Sequence, residues 1–354
     1  MNRRTFLISS AGAVLAAPLV GQTLSRKPKI RIGQIGTKHA HASGKIQAIR
    51  NQSDTYELIG VVEPDEARRK EMAKSDAYKG VPWLSERELI NSSGLQVVAI
   101  ETEVADLVST AARAISAGLH IHHDKPGGDS LPRFRNLLKQ AEAANLIVQM
   151  GYMLRYNPAF QFMYQAFKDG WLGNIMEVDC MMGKLGSAGT RRDIGKYPGG
   201  GMFELGGHVI DSIVYILGKP QSVTPFTRRT QSDGVADNQL AVLEFANATA
   251  TVRINHNDPF GSPRRRFQIS GDKGTMEIQQ LESGHFTLYL DEPRGRFKQG
   301  AQEVQLPRQG GRYDGEFADL AKVIRGEKKL DWTYSHDEDT HVALLQASGM
   351  PTGT

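Results

Sequence analysis

Between residues 30 and 150, short apolar runs alternate with stretches of helical composition, and this alternation limits the fold more than any other feature of the chain. IRIGQI (Ile30–Ile35) reads as a buried strand, residues 41–50 as a helix, and YELIGVV (Tyr56–Val62) as a second strand. Ser85-Glu86-Arg87-Glu88 has the form of a capping box that starts a helix. QVVAI at 96–100 predicts a strand, and residues 105–117 predict a helix closed by Gly118. HIHH (His120–His123) is strand-like, Ser130 precedes a helix over 131–145, and residues 146–150 form one more strand. A β-α-β-α order predicts an α/β fold, a Rossmann-like parallel sheet with helices on both faces. Ligands of such sheets bind beyond the carboxyl ends of the strands. Gly36, Glu63, Glu101-Thr102 and Asp124-Lys125 follow those ends and are expected to line one crevice.

The first turn is a dinucleotide fingerprint with substitutions. Gly36 opens it, but a G-x-G-x-x-G pattern would place glycine where Lys38 and His41 stand. Losing the second glycine limits close backbone approach to a pyrophosphate, while Lys38 brings a cation to the same place. The turn Gly36-Thr37-Lys38-His39 is therefore read as a modified cofactor site, with Thr102 and Asp124 beside it. Glu63 ends the second strand, where a carboxylate accepts hydrogen bonds from a ribose and repels a 2′-phosphate. That favours NAD, with NADP as the alternative.

The N-terminal residues MNRRTFLISSAGAVLAAPLVGQ combine paired arginines, an apolar run and small residues before Pro18. Residues 1–26 are expected to be a twin-arginine-type export signal, read by the twin-arginine machinery. The apolar run is short of the roughly 20 residues that span a bilayer, so no membrane association is expected after signal removal. A periplasmic or otherwise exported location follows. This route carries folded proteins, which suits a chain that takes up its cofactor before export. The single cysteine, Cys180, excludes an internal disulfide. The net charge is only +4, and Arg3 and Arg4 supply two of those charges, so nucleic acid is not an expected partner.

At AARAISAGLHIHHDKPGG the sequence resembles the Glu-Lys-Pro segment of the glucose-fructose oxidoreductase / inositol dehydrogenase / rhizopine-catabolism (Gfo/Idh/MocA) family, with Asp124 replacing Glu before Lys125-Pro126. VQMGYMLRYNPAF resembles that family's crossover into a second domain, with Arg155, Asn157 and Pro158. GGGMFELGGHVIDSIVYILG resembles its glycine-rich entry to the catalytic helix, with Glu204 and His208. FQISGDKGTMEI and YDGEFADLAKVIRGEKKL resemble a strand-turn-strand and the late helix. The resemblance implies a dinucleotide-binding domain over 27–150. It implies a substrate-binding α/β domain over 151–354, with a large, mostly antiparallel open sheet that often mediates homo-oligomer formation. Independently, residues 240–245, 248–255, 266–270 and 275–278 read as successive strands, with turns at Asn247 and Asp272-Lys273-Gly274. Departures from the family pattern are the missing glycines, Thr102-Glu103 for Thr-Pro, the absent His that often follows, and Glu204 for Asp.

The implied activity is NAD(P)-dependent oxidation at a secondary hydroxyl of a sugar, polyol or sugar derivative. Such a reaction needs a proton acceptor and a positive neighbour for the developing alkoxide. Lys125 at a strand end supplies the positive charge, and His208, whose imidazole titrates near neutral pH, takes the proton. Glu204 lies four residues earlier and is expected on the same helix face, orienting the imidazole or a neighbouring sugar hydroxyl. Arg155, Asn157 and Arg191, with Arg192 and Lys196, are candidate contacts to the substrate. His39, His41, His120, His122 and His123 show no recognisable ligand spacing, so no metal site is expected. Two alternatives remain at this level. One is a glycosidase that uses tightly held NAD for transient sugar oxidation and elimination. The other is a non-catalytic sugar-binding protein that has lost its cofactor.

Overall fold

The computed structural model describes residues 27–307 and 310–353. The export signal expected over 1–26 lies outside the described residues.

Six parallel strands form the first sheet: β1 (Ile30–Ile35), β2 (Tyr56–Val62), β3 (Trp83–Leu84), β4 (Val97–Ile100), β5 (His120–His123) and β6 (Val148–Met150). Their order is β3-β2-β1-β4-β5-β6, the doubly wound arrangement that reverses direction between β1 and β4. β4 is buried along its whole length, as expected of a strand covered on both faces by helices. The strand assignments hold to within two residues at each end. The helix after Ser85 (Glu86–Ile90) has the capping box that its sequence indicates, with reciprocal bonds between Ser85 and Glu88. The two-residue β3 escaped the sequence reading because it is too short to show a period.

Eight strands form the second sheet: β7 (Ile175–Gly183), β8 (Ser222–Arg228), β9 (Asn238–Glu244), β10 (Thr249–Asn255), β11 (Arg266–Gly271), β12 (Gly274–Gln279), β13 (His285–Leu290) and β14 (Gly300–Gln305). The order is β14-β13-β12-β11-β7-β10-β9-β8, antiparallel except for the central β7–β10 pair. Pro225 sits in β8, an edge strand, where a missing N–H leaves no ladder bond unmade.

One face of this sheet packs on the helices Pro158–Lys168 and Gly207–Leu217, and the apolar core runs from there into the first sheet without a break. The last two helices, Asp314–Ile324 and Tyr334–Ala347, return to the first domain. Tyr56 Oη donates to the Phe317 carbonyl at 2.6 Å, and Tyr334 Oη receives the Val148 N–H at 3.0 Å. The two sheets therefore stand as one braced unit, with the crevice of the first opening toward the second. No helix among the described residues is long and apolar enough to cross a membrane.

Candidate active site at the domain junction

Beyond the carboxyl ends of β1, β2 and β4 lies a cavity of about 490 Å³, lined by Gly36, Glu63, Trp83, Arg69, Thr102 and Arg113 among others. Gly36 has φ +92°, and a Cβ there would stand 2.7 Å from the Glu101 carbonyl oxygen and from the Thr102 nitrogen. Both are backbone atoms that cannot swing aside, so the first fingerprint glycine is required by geometry. Gly36→Ala is expected to cost about 1–3 kcal/mol of stability and to weaken any ligand in this cavity, as urea unfolding and ligand titration would show.

Glu63 is buried beside the turn. Its Oε2 accepts from Thr37 N at 3.1 Å and Thr37 Oγ1 at 2.7 Å, and its Oε1 accepts from Asp65 N at 3.1 Å. Arg68 Nη2 donates to the Thr37 carbonyl at 2.9 Å. The Thr37 side chain thus braces the loop, while Glu63 Oε1 keeps acceptor capacity toward a ribose. Lys38 is exposed, with Nζ 3.8 Å from Asp65, at the place where the second glycine is missing.

A second cavity, of about 250 Å³, is lined by Lys38, His39, Lys125, Lys184, Lys196 and Glu204 among others. It joins the two domains. Lys125 is buried just past β5, and its Nζ donates to the Glu204 carbonyl at 2.7 Å. Burial pulls the Lys125 pKa down, against the opposing pull of Glu204 and Asp124.

Glu204 lies in a π-helical turn, Met202–Gly206, that leads into the helix Gly207–Leu217. Its carboxylate accepts from Lys184 Nζ at 3.2 Å and meets His256 Nε2 at 3.0 Å. Burial works against its charge, but His256, Lys125 and Lys184 hold its pKa well below the usual carboxylate range. The expectation that Glu204 orients His208 is therefore corrected. The wider turn breaks the i,i+4 register, and His256 takes the carboxylate.

His208 is only 2% exposed and packs against the rings of His41 and Tyr152 at 6.1 and 6.0 Å. Its Nδ1 has no hydrogen-bond partner among the described residues. Burial first, then Lys125 and His41, hold its pKa well below the ordinary value, so the ring is neutral at neutral pH.

The histidines of the turn fold back under the crevice. His39 Nδ1 lies 3.0 Å and His41 Nδ1 3.1 Å from Asp124 Oδ2, while Asp124 Oδ1 accepts from Lys125 N at 2.7 Å. Asp124 thereby shapes the floor from beneath. His122 is buried elsewhere, between Gln149 and the Lys45–Glu316 ion pair, and His120 caps the Ile147 N–H. His123 is buried as well.

The three residues expected to contact substrate do other work. Arg155 is 1% exposed and bonds Asp211 at 2.6 Å and Asp337 at 2.5 Å. Asn157 caps the helix Pro158–Lys168 by accepting from Ala159 N at 2.9 Å. Arg191 is committed to Asp233, Asp237 and Asn257. Their polar groups are satisfied internally, so none is a free rim charge. Lys196 does reach the cavity, paired with Glu103 of the first domain at 3.1 Å.

Lys184 and His256 were not anticipated. They follow β7 and β10, parallel neighbours paired at Gly183 and Asn255, so the strand-end rule that found Lys125 applies to them too. β7 was hidden from the sequence reading by its mixed composition, IMEVDCMMG.

Comparison with known proteins agrees with this architecture. The profile of the oxidoreductase family with an NAD-binding Rossmann fold matches residues 30–152, and that of the GFO/IDH/MocA C-terminal domain matches 160–277. Among curated relatives, the uncharacterized oxidoreductase YhhX of Escherichia coli (strain K12) is 25% identical over 64% of this chain and 65% of its own. The scyllo-inositol 2-dehydrogenase (NAD(+)) of Bacillus subtilis (strain 168) is 23% identical over 73% of this chain and 74% of its own. The chain spans just under two thirds of the length of the first curated relatives it matches. A levoglucosan dehydrogenase solved with NADH and levoglucosan superimposes with a TM-score of 0.78 at 16% identity, covering 91% of this chain and 98% of that one. That likeness is one of fold.

Proposed function

The chain belongs to the GFO/IDH/MocA oxidoreductase family, and on that premise we propose that it transfers hydride between a tightly held nicotinamide dinucleotide and a secondary hydroxyl of a sugar or polyol. The observation that carries this reading is the Lys125–Glu204 bond across the domain junction, on the wall of a cavity beside the one that Gly36 and Glu63 line.

The first cavity fits a dinucleotide. Gly36 lets the turn close on the Glu101–Thr102 backbone, Glu63 has acceptor capacity for a ribose hydroxyl, and Arg69 here and Lys38 in the adjoining cavity offer positive charge to phosphates. When bound, the dinucleotide supplies the hydride acceptor. The rest of the chemistry falls to this chain's side chains. Lys125 has three N–H donors and gives one to Glu204, which leaves donors for the substrate hydroxyl. In this reading the neutral His208, buried against His41 and Tyr152, serves as the proton acceptor. Glu204, fixed by His256 and Lys184, stays charged and accepts a hydrogen bond from a neighbouring hydroxyl. The bias of Glu63 toward NAD, export through the twin-arginine route, and association through the open sheet belong to the same reading. Met176, Phe226 and Tyr289 are exposed on strands of that sheet, which supports the last point.

The test is to offer the purified protein glucose and inositol deuterated at their ring carbons, then weigh the nucleotide it releases. Deuterium in the nucleotide with accumulating ketone supports net oxidation. Glycoside cleavage that regenerates unreduced cofactor would instead identify the glycosidase chemistry. Nucleotide that stays unlabelled and unreduced with every sugar, polyol and glycoside tried counts against a redox role and favours a sugar-binding protein.

A further inference from the structure

Three potential ligand residues, His39, His41 and Asp124, converge under the crevice floor, with Glu101 beside His39. Asp124 Oδ2 lies 3.0 Å from His39 Nδ1 and 3.1 Å from His41 Nδ1, and Glu101 Oε2 lies 3.7 Å from His39 Nδ1. Ligands of a tetrahedral zinc ion, with bonds of about 2.0–2.1 Å, stand about 3.3 Å apart. The three separations bracket that value.

Hydrogen bonding fixes which atoms have lone pairs to give. His39 Nε2 stands 3.0 Å from the Lys125 carbonyl oxygen, which accepts only, so this nitrogen carries the proton. In the neutral ring Nδ1 is then a bare lone pair, and the His41 N–H approaches it at 3.3 Å, as an unprotonated nitrogen allows. An imidazole whose far N–H is held by a backbone carbonyl is the arrangement that orients a metal ligand. A lone pair pointed at a carboxylate oxygen 3.0 Å away is repelled unless a cation, either a metal ion or the proton of an imidazolium, lies between them.

Glu101 supplies an independent observation. It is fully buried beside His39, and neither of its carboxylate oxygens has a hydrogen-bond partner within ordinary distance among the described residues. The nearby buried cation, Lys45, is already committed to Glu316 and His122. A second convergence, of Asp211, His336 and Asp337, differs in this respect, because the Arg155 guanidinium fills it.

We propose that His39, His41 and Asp124 bind one divalent transition-metal ion of the zinc class, with the Glu101 carboxylate beside them. Two imidazoles with a carboxylate suit zinc better than magnesium or calcium, which prefer all-oxygen shells. The proposal replaces the expectation that the histidines form no ligand set. It does not rest on the oxidation reaction, and its readout is metal content.

The full chain is purified, incubated with Zn²⁺, dialysed, and measured by elemental mass spectrometry and zinc X-ray absorption. The expected result is about one zinc per chain in a shell of mixed imidazole and carboxylate at about 2.0–2.1 Å. Dipicolinate is expected to lower the thermal midpoint, and Zn²⁺ to restore it. His41→Ala is expected to weaken zinc binding at least about tenfold, while His285→Ala, at a half-buried histidine of the second sheet paired with Glu303, leaves it unchanged. A chain that retains no zinc after dialysis overturns the proposal, as does full retention in a folded His41→Ala variant. Should that variant fail to fold, the absorption spectrum of the unmodified chain decides. A shell without imidazole is then the refuting result.

Discussion

Lys125→Ala is expected to lower turnover at least about a hundredfold, the lower end for loss of an acid-base group, on whichever labelled substrate proves active. The residue is fixed by three features: it lies just past the end of β5, its backbone N–H is held by Asp124 at 2.7 Å, and its Nζ reaches the Glu204 carbonyl at 2.7 Å. Alanine removes the positive group beside the developing alkoxide and leaves the dinucleotide cavity untouched, because Lys125 does not line it. Nucleotide content is therefore expected to be unchanged while turnover falls. His208→Ala is expected to lose a similar factor, also with nucleotide retained. The double variant is expected to lose much less than the product of the single losses if the two residues act as one unit. Steady-state kinetics on the three proteins checks this. Near-normal turnover in His208→Ala would move the proton acceptor to Lys125 alone.

Arg155→Ala is expected to destabilise the fold by about 3–5 kcal/mol, the range for breaking a buried ion pair by removing one partner. The guanidinium sits between Asp211 on the helix Gly207–Leu217 and Asp337 on the last helix, with its plane near Tyr152 and Trp332. Arg155 holds the Asp211 carboxyl below its usual range, although burial pushes it up. Without the arginine, two buried carboxylates face each other with only His336, 2.9 Å from Asp211, beside them. Urea denaturation measures the loss. Arg155→Lys is expected to recover only part of it, because an ammonium cannot reproduce the planar fork. A loss under 1 kcal/mol would mean that the site relaxes or takes up water, and that the arginine is free to serve the substrate after all.

Much of this was legible in the residues, for identifiable reasons. The first sheet announces itself because fully buried parallel strands are continuous apolar runs, and helix caps such as Ser85 mark their own ends. Gly36, Glu63 and Lys125 could be placed because strand ends of a doubly wound sheet share one crevice. What remained hidden depends on pairing between distant segments. Arg155 looked available for substrate because Asp337, its partner, lies 182 residues away. Asp124 joins His39 and His41 from another strand, so no local spacing reveals the cluster. His256 and Lys184 meet Glu204 only once β7 lies parallel to β10. The π-helical turn at Glu204 broke the i,i+4 argument, and no propensity in MFELG marks it.

On this reading the crevice lined by Gly36, Glu63 and Thr102 holds a nicotinamide dinucleotide. Titration of nucleotide-stripped protein with NADH tests it most directly, read by energy transfer from tryptophan, since Trp83 lines the first cavity. Saturable binding of one NADH per chain, protection against heat by NAD, and loss of both in Gly36→Val are expected. A folded protein that binds neither NADH nor NADPH and gains no protection would contradict it.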